Sequence, residues 1–176
     1  IRQYSLANDP SERHRYLIGV LRELHGRGGS EALHERVHPQ REVYVGNPRN
    51  NFPLFESAKR HLLLAGGIGI TPMLSYTARL QTIGTDFMLH YCAKSARHAA
   101  FRAELAHLEK EGRVKFHYDG GDPSRGLDIE SLLKSPELGT HLYYCGPPGF
   151  MGAIEKFSSH WPDDTVHFEF FNAAAS

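Results

Sequence analysis

This chain of 176 residues has only two cysteines, a formal net charge of zero and few long apolar runs. Its two cysteines are too few for an iron–sulfur cluster, which needs four thiolates, and so few thiols are typical of a reduced cytoplasmic protein. Lys plus Arg and Asp plus Glu number 20 each, so no basic surface is available for nucleic acid or an anionic membrane. No apolar run approaches the roughly 18 residues that cross a bilayer. We therefore expect no metal site, no nucleic-acid or membrane partner and a cytoplasmic location.

From Lys59 onward, runs typical of strands alternate with runs typical of helices. The predicted strands are 61–65, 87–92, 114–118, 141–145 and 165–170, and the predicted helices are 72–82, 96–111, 129–134 and 150–159. This alternation predicts an α/β fold with a doubly wound, five-stranded parallel sheet. Asp128 is a suitable cap for the third helix. Ligands of such sheets bind outside the carboxyl ends of the strands, where Gly66, Asp119 and Cys145 lie.

Residues 1–56 have a different pattern. Strand-like runs at 3–7, 15–21 and 42–46 accompany a short helix predicted at 31–37, and an irregular stretch rich in proline and asparagine follows. The change in pattern divides the chain into a first domain, 1–56, and a second domain that begins at residue 57.

A glycine-rich turn follows the first predicted strand of the second domain. Residues 65–73 read Ala-Gly-Gly-Ile-Gly-Ile-Thr-Pro-Met. Gly66, Gly67 and Gly69 carry no β-carbon, so a pyrophosphate can approach the backbone at the positive end of the following helix. Thr71 is a favourable N-cap, and Pro72 suits the first helical turn. The turn predicts a dinucleotide site, although Pro72 replaces the third glycine of the usual G-x-G-x-x-G pattern.

Two further motifs narrow the prediction. Residues 145–148 read Cys-Gly-Pro-Pro, and residues 2–6 read Arg-Gln-Tyr-Ser-Leu. With the glycine turn, they follow the order and approximate spacing of the ferredoxin-reductase family, which this chain resembles over essentially its whole length. Within that family, residues 26–30, 50–54 and 161–169 are most similar to the phthalate dioxygenase reductase and vanillate O-demethylase reductase type.

The resemblance implies how the two domains are used. Residues 1–56 are expected to be the second half of an antiparallel FMN-binding β-barrel, and residues 57–171 the complete NAD-binding lobe. The tail, 172–176, is expected to lead toward a [2Fe–2S] ferredoxin domain that this chain lacks. The implied cofactors are FMN and NADH, and the implied partners are that ferredoxin domain and a terminal Rieske oxygenase.

The flavin residues are carried over from the family's motifs. The resemblance implies that Arg2, Tyr4 and Ser5 contact the flavin and that backbone groups in the next strand do the same. It also implies that a G-R-G-G-S loop holds the FMN phosphate. Leu21 stands where the family often has Lys, which leaves Arg22 or Arg27 to supply positive charge. The backbone and loop residues concerned are Gly19, Val20, Leu21, Gly26, Arg27, Gly28, Gly29 and Ser30.

The nicotinamide residues follow from the same resemblance. Thr71 is expected near both rings, and the Cys145 thiol near nicotinamide C4, where it orients the ring rather than attacking it; Gly146 and Pro147 complete that motif. Met151 either pads the pocket or is an ordinary core residue. Asp119 contacts the adenosine ribose or is a solvated turn acid. Glu169 and Phe171 return toward the flavin, and Phe171 either covers the ring or packs in the core.

The expected function is hydride transfer from NADH to FMN, followed by one-electron delivery to an iron–sulfur partner, within an aromatic oxygenase or O-demethylase system. One alternative is a flavodoxin or flavohaemoglobin type of reductase that uses FAD. Another is a redox-inactive nucleotide-binding module. Lys94 and Arg97 favour a 2′-phosphate, whereas Asp119 opposes one. The resemblance decides for NADH.

Overall fold

A five-stranded parallel sheet forms the centre of the structure, a computed structural model that describes residues 2–23 and 25–171. The strands are β1 (Arg60–Gly66), β2 (Asp86–Ala93), β3 (Val114–Tyr118), β4 (Thr140–Cys145) and β5 (Val166–Glu169). Their order across the sheet is β3-β2-β1-β4-β5. The chain moves outward from β1 in one direction and then returns to build the other side. The point of reversal, between β1 and β4, is where such sheets bind ligands. The predicted α/β sheet is confirmed.

Five helices accompany the sheet in the described part of the chain. They are α1 (Gly29–Arg36), α2 (Ile70–Ile83), α3 (Ala106–Lys110), α4 (Ile129–Leu133) and α5 (Pro148–Phe157). The Asp128 carboxylate accepts a hydrogen bond from the Ser131 amide at 3.1 Å, which confirms the predicted cap of α4. Gly84 ends α2 in the left-handed conformation, which glycine adopts without penalty.

Both faces of the sheet are covered. Alternate residues of a strand point to opposite faces. On one face, Leu63 and Tyr143 pack with side chains of α2, and on the other, Leu64 and Tyr144 pack with α4, α5 and Trp161. Every residue of β1 except the first is buried, as expected for a central parallel strand. This double cover holds the carboxyl ends of the strands in a fixed arrangement.

The predicted strands of the first domain are not formed. Among the described residues before β1, strand pairing is limited to one antiparallel bridge, Leu6 with Ile18, beside the hydrogen bond from the Ala7 amide to the Leu17 carbonyl at 2.8 Å. Tyr44 and Val45 are exposed, and no described segment lies beside 42–46 to accept its backbone hydrogen bonds. The helix expected at 31–37 is present as α1.

The helix predicted over 96–111 is also wrong. The structure has a short 3₁₀ turn at Ala96–His98, and α3 covers only Ala106–Lys110. The reason lies at Phe101, whose φ of 59° falls in the left-handed region. A residue in that conformation cannot continue a right-handed helix.

Two pairs of histidines connect neighbouring strands. His90 Nδ1 lies 3.0 Å from His117 Nε2, and His141 Nδ1 lies 2.9 Å from His167 Nε2. Burial lowers the pKa of all four imidazoles, and that of His90 falls to about 4. A hydrogen bond between two imidazoles requires one of the two nitrogens to be unprotonated. The folded protein therefore favours neutral histidines.

This preference predicts acid sensitivity. Because the pKa of His90 is lower in the folded state, the unfolded state binds protons first, and stability falls as pH drops from about 6.5 toward 4. By pH 5, His90 alone should cost up to about 2 kcal/mol in the free energy of unfolding. Urea unfolding between pH 7 and 5 measures the loss. His90→Asn should make the pH dependence shallower, whereas the exposed His38→Asn should not; an identical slope in both variants would contradict the assignment.

Candidate functional site

The glycine turn lies at the carboxyl end of β1, at the point where the sheet reverses direction. Gly67 has φ 53°, and nothing lies within 4 Å of the position that its β-carbon would occupy. Gly69 is different, because a β-carbon there would lie 2.1 Å from the Cys145 carbonyl oxygen. Gly67 thus supplies an unusual backbone angle beside open space, and Gly69 supplies contact with the end of β4.

The Cys-Gly-Pro motif meets this turn directly. A β-carbon on Gly146 would lie 3.0 Å from the Gly66 Cα and 2.6 Å from the Phe150 ring. A β-carbon on Gly66 would lie 2.8 Å from Pro147 Cδ. The two motifs, distant in sequence, therefore interlock at the site, and Phe150 closes the contact from the first turn of α5.

Thr71 lies inside the first turn of α2, which begins at Ile70, with Gly69 at the N-cap position. Its predicted role as N-cap is therefore wrong. The Thr71 hydroxyl instead donates to the Ile68 carbonyl at 3.1 Å, and the side chain is 2% exposed. Pro72 occupies the same first turn, where the absence of an amide proton costs no helical hydrogen bond.

The Cys145 thiol is fully buried at the end of β4. Burial raises its pKa, and the nearby Glu169 carboxylate raises it further. The thiol therefore stays protonated at neutral pH, and a protonated thiol is a poor nucleophile.

Ser5 connects the amino-terminal segment to this cluster. Its hydroxyl donates to Glu169 Oε2 at 2.7 Å, and Glu169 is the register partner of Cys145 in the neighbouring strand. Gly19 makes a second connection, because a β-carbon there would lie 2.7 Å from Thr71 Cγ2. The structure thus brings Ser5, Gly19, Thr71, Cys145 and Glu169 to one end of the sheet.

The loop 26–30 leads into α1. Gly28 has φ 75°, and the Arg2 guanidinium lies against Gly29, with Nε 2.6 Å from the position of a β-carbon on that glycine. The Ser30 hydroxyl accepts a hydrogen bond from the Glu23 amide at 3.0 Å. The first helical turn and a guanidinium therefore lie side by side, and both favour an anion.

The remaining predicted residues lie in various environments. Asp119 accepts a hydrogen bond from the Gly121 amide at 2.7 Å, so its carboxylate closes a turn after β3. The side chain of Met151, a residue of α5, is buried in the core, and Phe171, at the end of the described chain, is 39% exposed. The other flavin-motif residues are partly or fully exposed: Tyr4, Val20, Leu21, Gly26 and Arg27.

Three residues of the site are absent from the sequence-based set. Ile68 and Phe150 flank the two motifs in sequence, so their positions beside the glycines could have been suspected. Phe101 contacts Gly19 across the structure and lies in a segment that resembles a helix. No local signal marks it.

The glycine turn at the reversal point of a parallel sheet defines a dinucleotide-binding α/β domain. The chain belongs to the family of oxidoreductase NAD-binding domains, whose family model matches residues 63–156, more than half of the chain. That match includes both of the motifs that interlock.

Curated relatives extend the similarity to almost the whole chain. It is 61% identical over 174 residues to the tert-butanol monooxygenase / tert-amyl alcohol desaturase reductase subunit of Aquincola tertiaricarbonis, with 99% of this chain and 52% of that protein covered. It is 46% identical over 176 residues to the vanillate O-demethylase oxidoreductase of Pseudomonas putida, with 99% and 55% covered. The chain thus spans about half the length of these relatives.

A solved structure agrees with the curated relatives. Phthalate dioxygenase reductase has a TM-score of 0.93 and 43% identity to this chain, with 99% of this chain and 55% of that chain covered. The predicted resemblance to the phthalate dioxygenase reductase and vanillate O-demethylase reductase type is confirmed. Within residues 2–23 and 25–171, no helix is long and apolar enough to cross a bilayer.

The interlocked glycines give a direct test. Gly69→Ala places a methyl group on the Cys145 carbonyl, so the turn or the end of β4 must shift. We expect the free energy of unfolding to fall by roughly 2–4 kcal/mol, measured by urea unfolding. Gly149→Ala in α5 is the matched control, because nothing lies within 4 Å of its β-carbon position. That change should be neutral or stabilise by up to about 1 kcal/mol. Equal effects of the two substitutions would contradict the interlock.

Proposed function

We propose that this chain is the flavin- and NADH-binding portion of the reductase component of a Rieske-type oxygenase or O-demethylase system. The observation that carries the proposal is the meeting of Ser5, Glu169 and Cys145. Ser5, from the flavin motif, donates to Glu169 at 2.7 Å, and Glu169 is paired in register with Cys145 of the nicotinamide motif. The reductase names of the relatives support the same assignment.

The glycine turn fits the pyrophosphate of NADH. No protein atom lies within 4 Å of the β-carbon position of Gly67, and α2 begins just beyond it with its positive end toward this space. The residues assigned to the nucleotide are Gly66, Gly67, Gly69, Thr71, Pro72, Asp119, Cys145, Gly146, Pro147 and Met151. Of these, Met151 fits least well, because its side chain, on α5, is buried in the core.

The loop before α1 fits the phosphate of FMN. Nothing lies within 4 Å of the β-carbon position of Gly28, and the Arg2 guanidinium is adjacent at Gly29. The Ser30 hydroxyl uses an oxygen lone pair on the Glu23 amide, which leaves its proton available to a phosphate oxygen. Amides of the first helical turn complete a cradle of donors. A terminal phosphate, as in FMN, suits this end-on arrangement.

FMN supplies the redox chemistry when bound, since it accepts a hydride and can release electrons singly. The protein contributes position. Thr71 and Cys145 lie where the nicotinamide is proposed to bind, and the neutral thiol orients the ring without attacking it. The Ser5 hydroxyl holds the Glu169 carboxylate at the same end of the sheet. Phe171 follows β5 and is proposed to cover the flavin.

The proposal names the class of oxygenase system that the chain serves, but not the compound that the system oxidises. The relatives named above serve tert-butanol, vanillate and phthalate systems, and all of them align with this chain over almost its whole length. The residues assigned here face nucleotide and flavin, so they do not select the compound that a terminal oxygenase oxidises. We infer that this selection belongs to the partner, which receives electrons through a [2Fe–2S] domain.

Nucleotide preference tests the function itself. With ferricyanide as acceptor, kcat/KM should be greater for NADH than for NADPH, because Asp119 opposes a 2′-phosphate. Asp119→Asn should raise the relative use of NADPH several-fold, since Asn can still accept the Gly121 amide but carries no charge.

The bound flavin is identified in the same preparation. FMN supports the proposal, whereas FAD would favour the flavodoxin or flavohaemoglobin type of reductase. A chain that neither binds flavin nor oxidises NADH would be a nucleotide-binding module, and the proposed function would be wrong. A ratio in favour of NADPH would overturn the assignment of Asp119.

Cys145 gives a second test. Cys145→Ala should slow flavin reduction by NADH by roughly 10- to 100-fold, because the nicotinamide loses its orienting surface. Flavin content and fold should change little. The rate is measured by stopped-flow absorbance and corrected for the folded fraction.

Cys92→Ala is the matched control. Cys92 is half-buried on the opposite face of the sheet, where burial raises its pKa to about 12. Cys92→Ala should leave the rate of flavin reduction by NADH unchanged. A normal rate in Cys145→Ala, together with a loss of several kcal/mol of stability as for a core cavity, would make the Cys145 thiol structural.

A further inference from the structure

Phe101 has an unfavourable backbone conformation. Its φ is 59°, and the only other described residue besides glycine with a positive φ is Gln40, at 70°. A β-carbon clashes with the backbone in this region, so a bulky residue rarely occupies it. Phe101 also interrupts a segment whose apolar spacing favours a helix. Other contacts must therefore hold Phe101 in place.

The contact that the Phe101 ring makes with Gly19 accounts for this unfavourable backbone conformation. Its Cε2 lies 3.0 Å from the position that a β-carbon on Gly19 would occupy, beside Thr71 Cγ2 at 2.7 Å and Ile68 Cδ1 at 3.1 Å. Gly19 therefore lies directly on three side chains of the NAD-binding lobe. There is no room for even one methyl group at this contact.

Phe101 is held in place by contacts within the NAD-binding lobe. Phe101 packs against the main core, and the Leu105 amide donates to the Phe101 carbonyl at 3.3 Å. Leu105 is 1% exposed. The ring is thus held by the lobe and presented to Gly19, rather than carried by the amino-terminal segment.

We propose that Phe101 is a positioning residue that fixes the flavin-binding segment around Gly19 relative to Thr71 at the nicotinamide site. The inference rests on the proposed function, which assigns Gly19 to the flavin and Thr71 to the nicotinamide. Hydride transfer requires the two rings at close, defined separation, and displacement by about 1 Å can slow such a step by 10²-fold. Phe101 acts on this separation through its contact with Gly19.

Phe101→Gly tests the proposal, because glycine tolerates the positive φ while the ring is removed. At saturating NADH, flavin reduction should slow by about tenfold or more, while flavin affinity and the KM for NADH change less than about twofold. The primary isotope effect with NADH deuterated at C4 should persist or increase, because hydride transfer becomes more fully rate-limiting. Single-turnover kinetics measure the rate and its isotope effect, steady-state kinetics measure KM, and a fluorescence titration measures flavin affinity.

Gln40→Gly is the matched control. It makes the same substitution at the other positive φ, in an exposed segment, and should leave the rate of flavin reduction unchanged. Gly19→Ala approaches the same contact from the other side and should also slow flavin reduction. In the double variant, the loss should be smaller than the product of the two single losses, because the inserted methyl group no longer meets the ring.

The wild-type chain separates this inference from the proposed function. If wild type does not reduce bound flavin with NADH, the proposed function fails, and the positioning role fails with it. If wild type reduces flavin and Phe101→Gly does so at the same rate per folded molecule, only the positioning role is overturned. A loss in Phe101→Gly that is confined to stability or to flavin affinity would likewise overturn only the positioning role.

Discussion

The contact between the glycine turn and the end of β4 is the constraint on which the site depends. Gly69 leaves no space for a β-carbon against the Cys145 carbonyl, and Gly66 and Gly146 meet around the Phe150 ring. A turn in this position therefore cannot move without moving the cysteine motif. The positions of the glycine turn and the cysteine motif, which together form the proposed nicotinamide site, are therefore set by the same packing that joins β1 and β4. Glycine serves here for close approach of backbone to backbone.

Burial then determines what the site residues can do chemically. Cys145 is fully buried beside the Glu169 carboxylate, and both conditions raise its pKa. The same residue type at an exposed helix N-terminus would be a nucleophile. Here it is a neutral, unreactive thiol. The Glu169 charge is in turn held by the Ser5 hydroxyl at 2.7 Å, so the carboxylate has a defined position in the site.

Local patterns in the sequence predicted the sheet well, because each strand and its following turn carry their own signal. The predicted strand bounds differ from the observed ones by no more than one residue at any end, and the Asp128 cap was correct. Prediction failed where structure depends on distant contacts. The helix over 96–111 is broken by Phe101, whose ring packs on Gly19, and no neighbouring residue announces that contact. The strands expected before residue 57 need partners that no described segment provides.

The proposed site has a nucleotide half on the sheet and an amino-terminal half, and these two halves are held in place to different degrees. The nucleotide half is part of a sheet that is buried on both faces, and its turn interlocks with a second strand. The amino-terminal segment reaches this half through a small set of contacts, including the Ser5–Glu169 hydrogen bond and the packing of Gly19 on Thr71, Ile68 and Phe101. Regions with few buried contacts open at lower free energy than a core. Each of these contacts therefore has more influence on the relation between the two halves than a contact of similar size within the sheet.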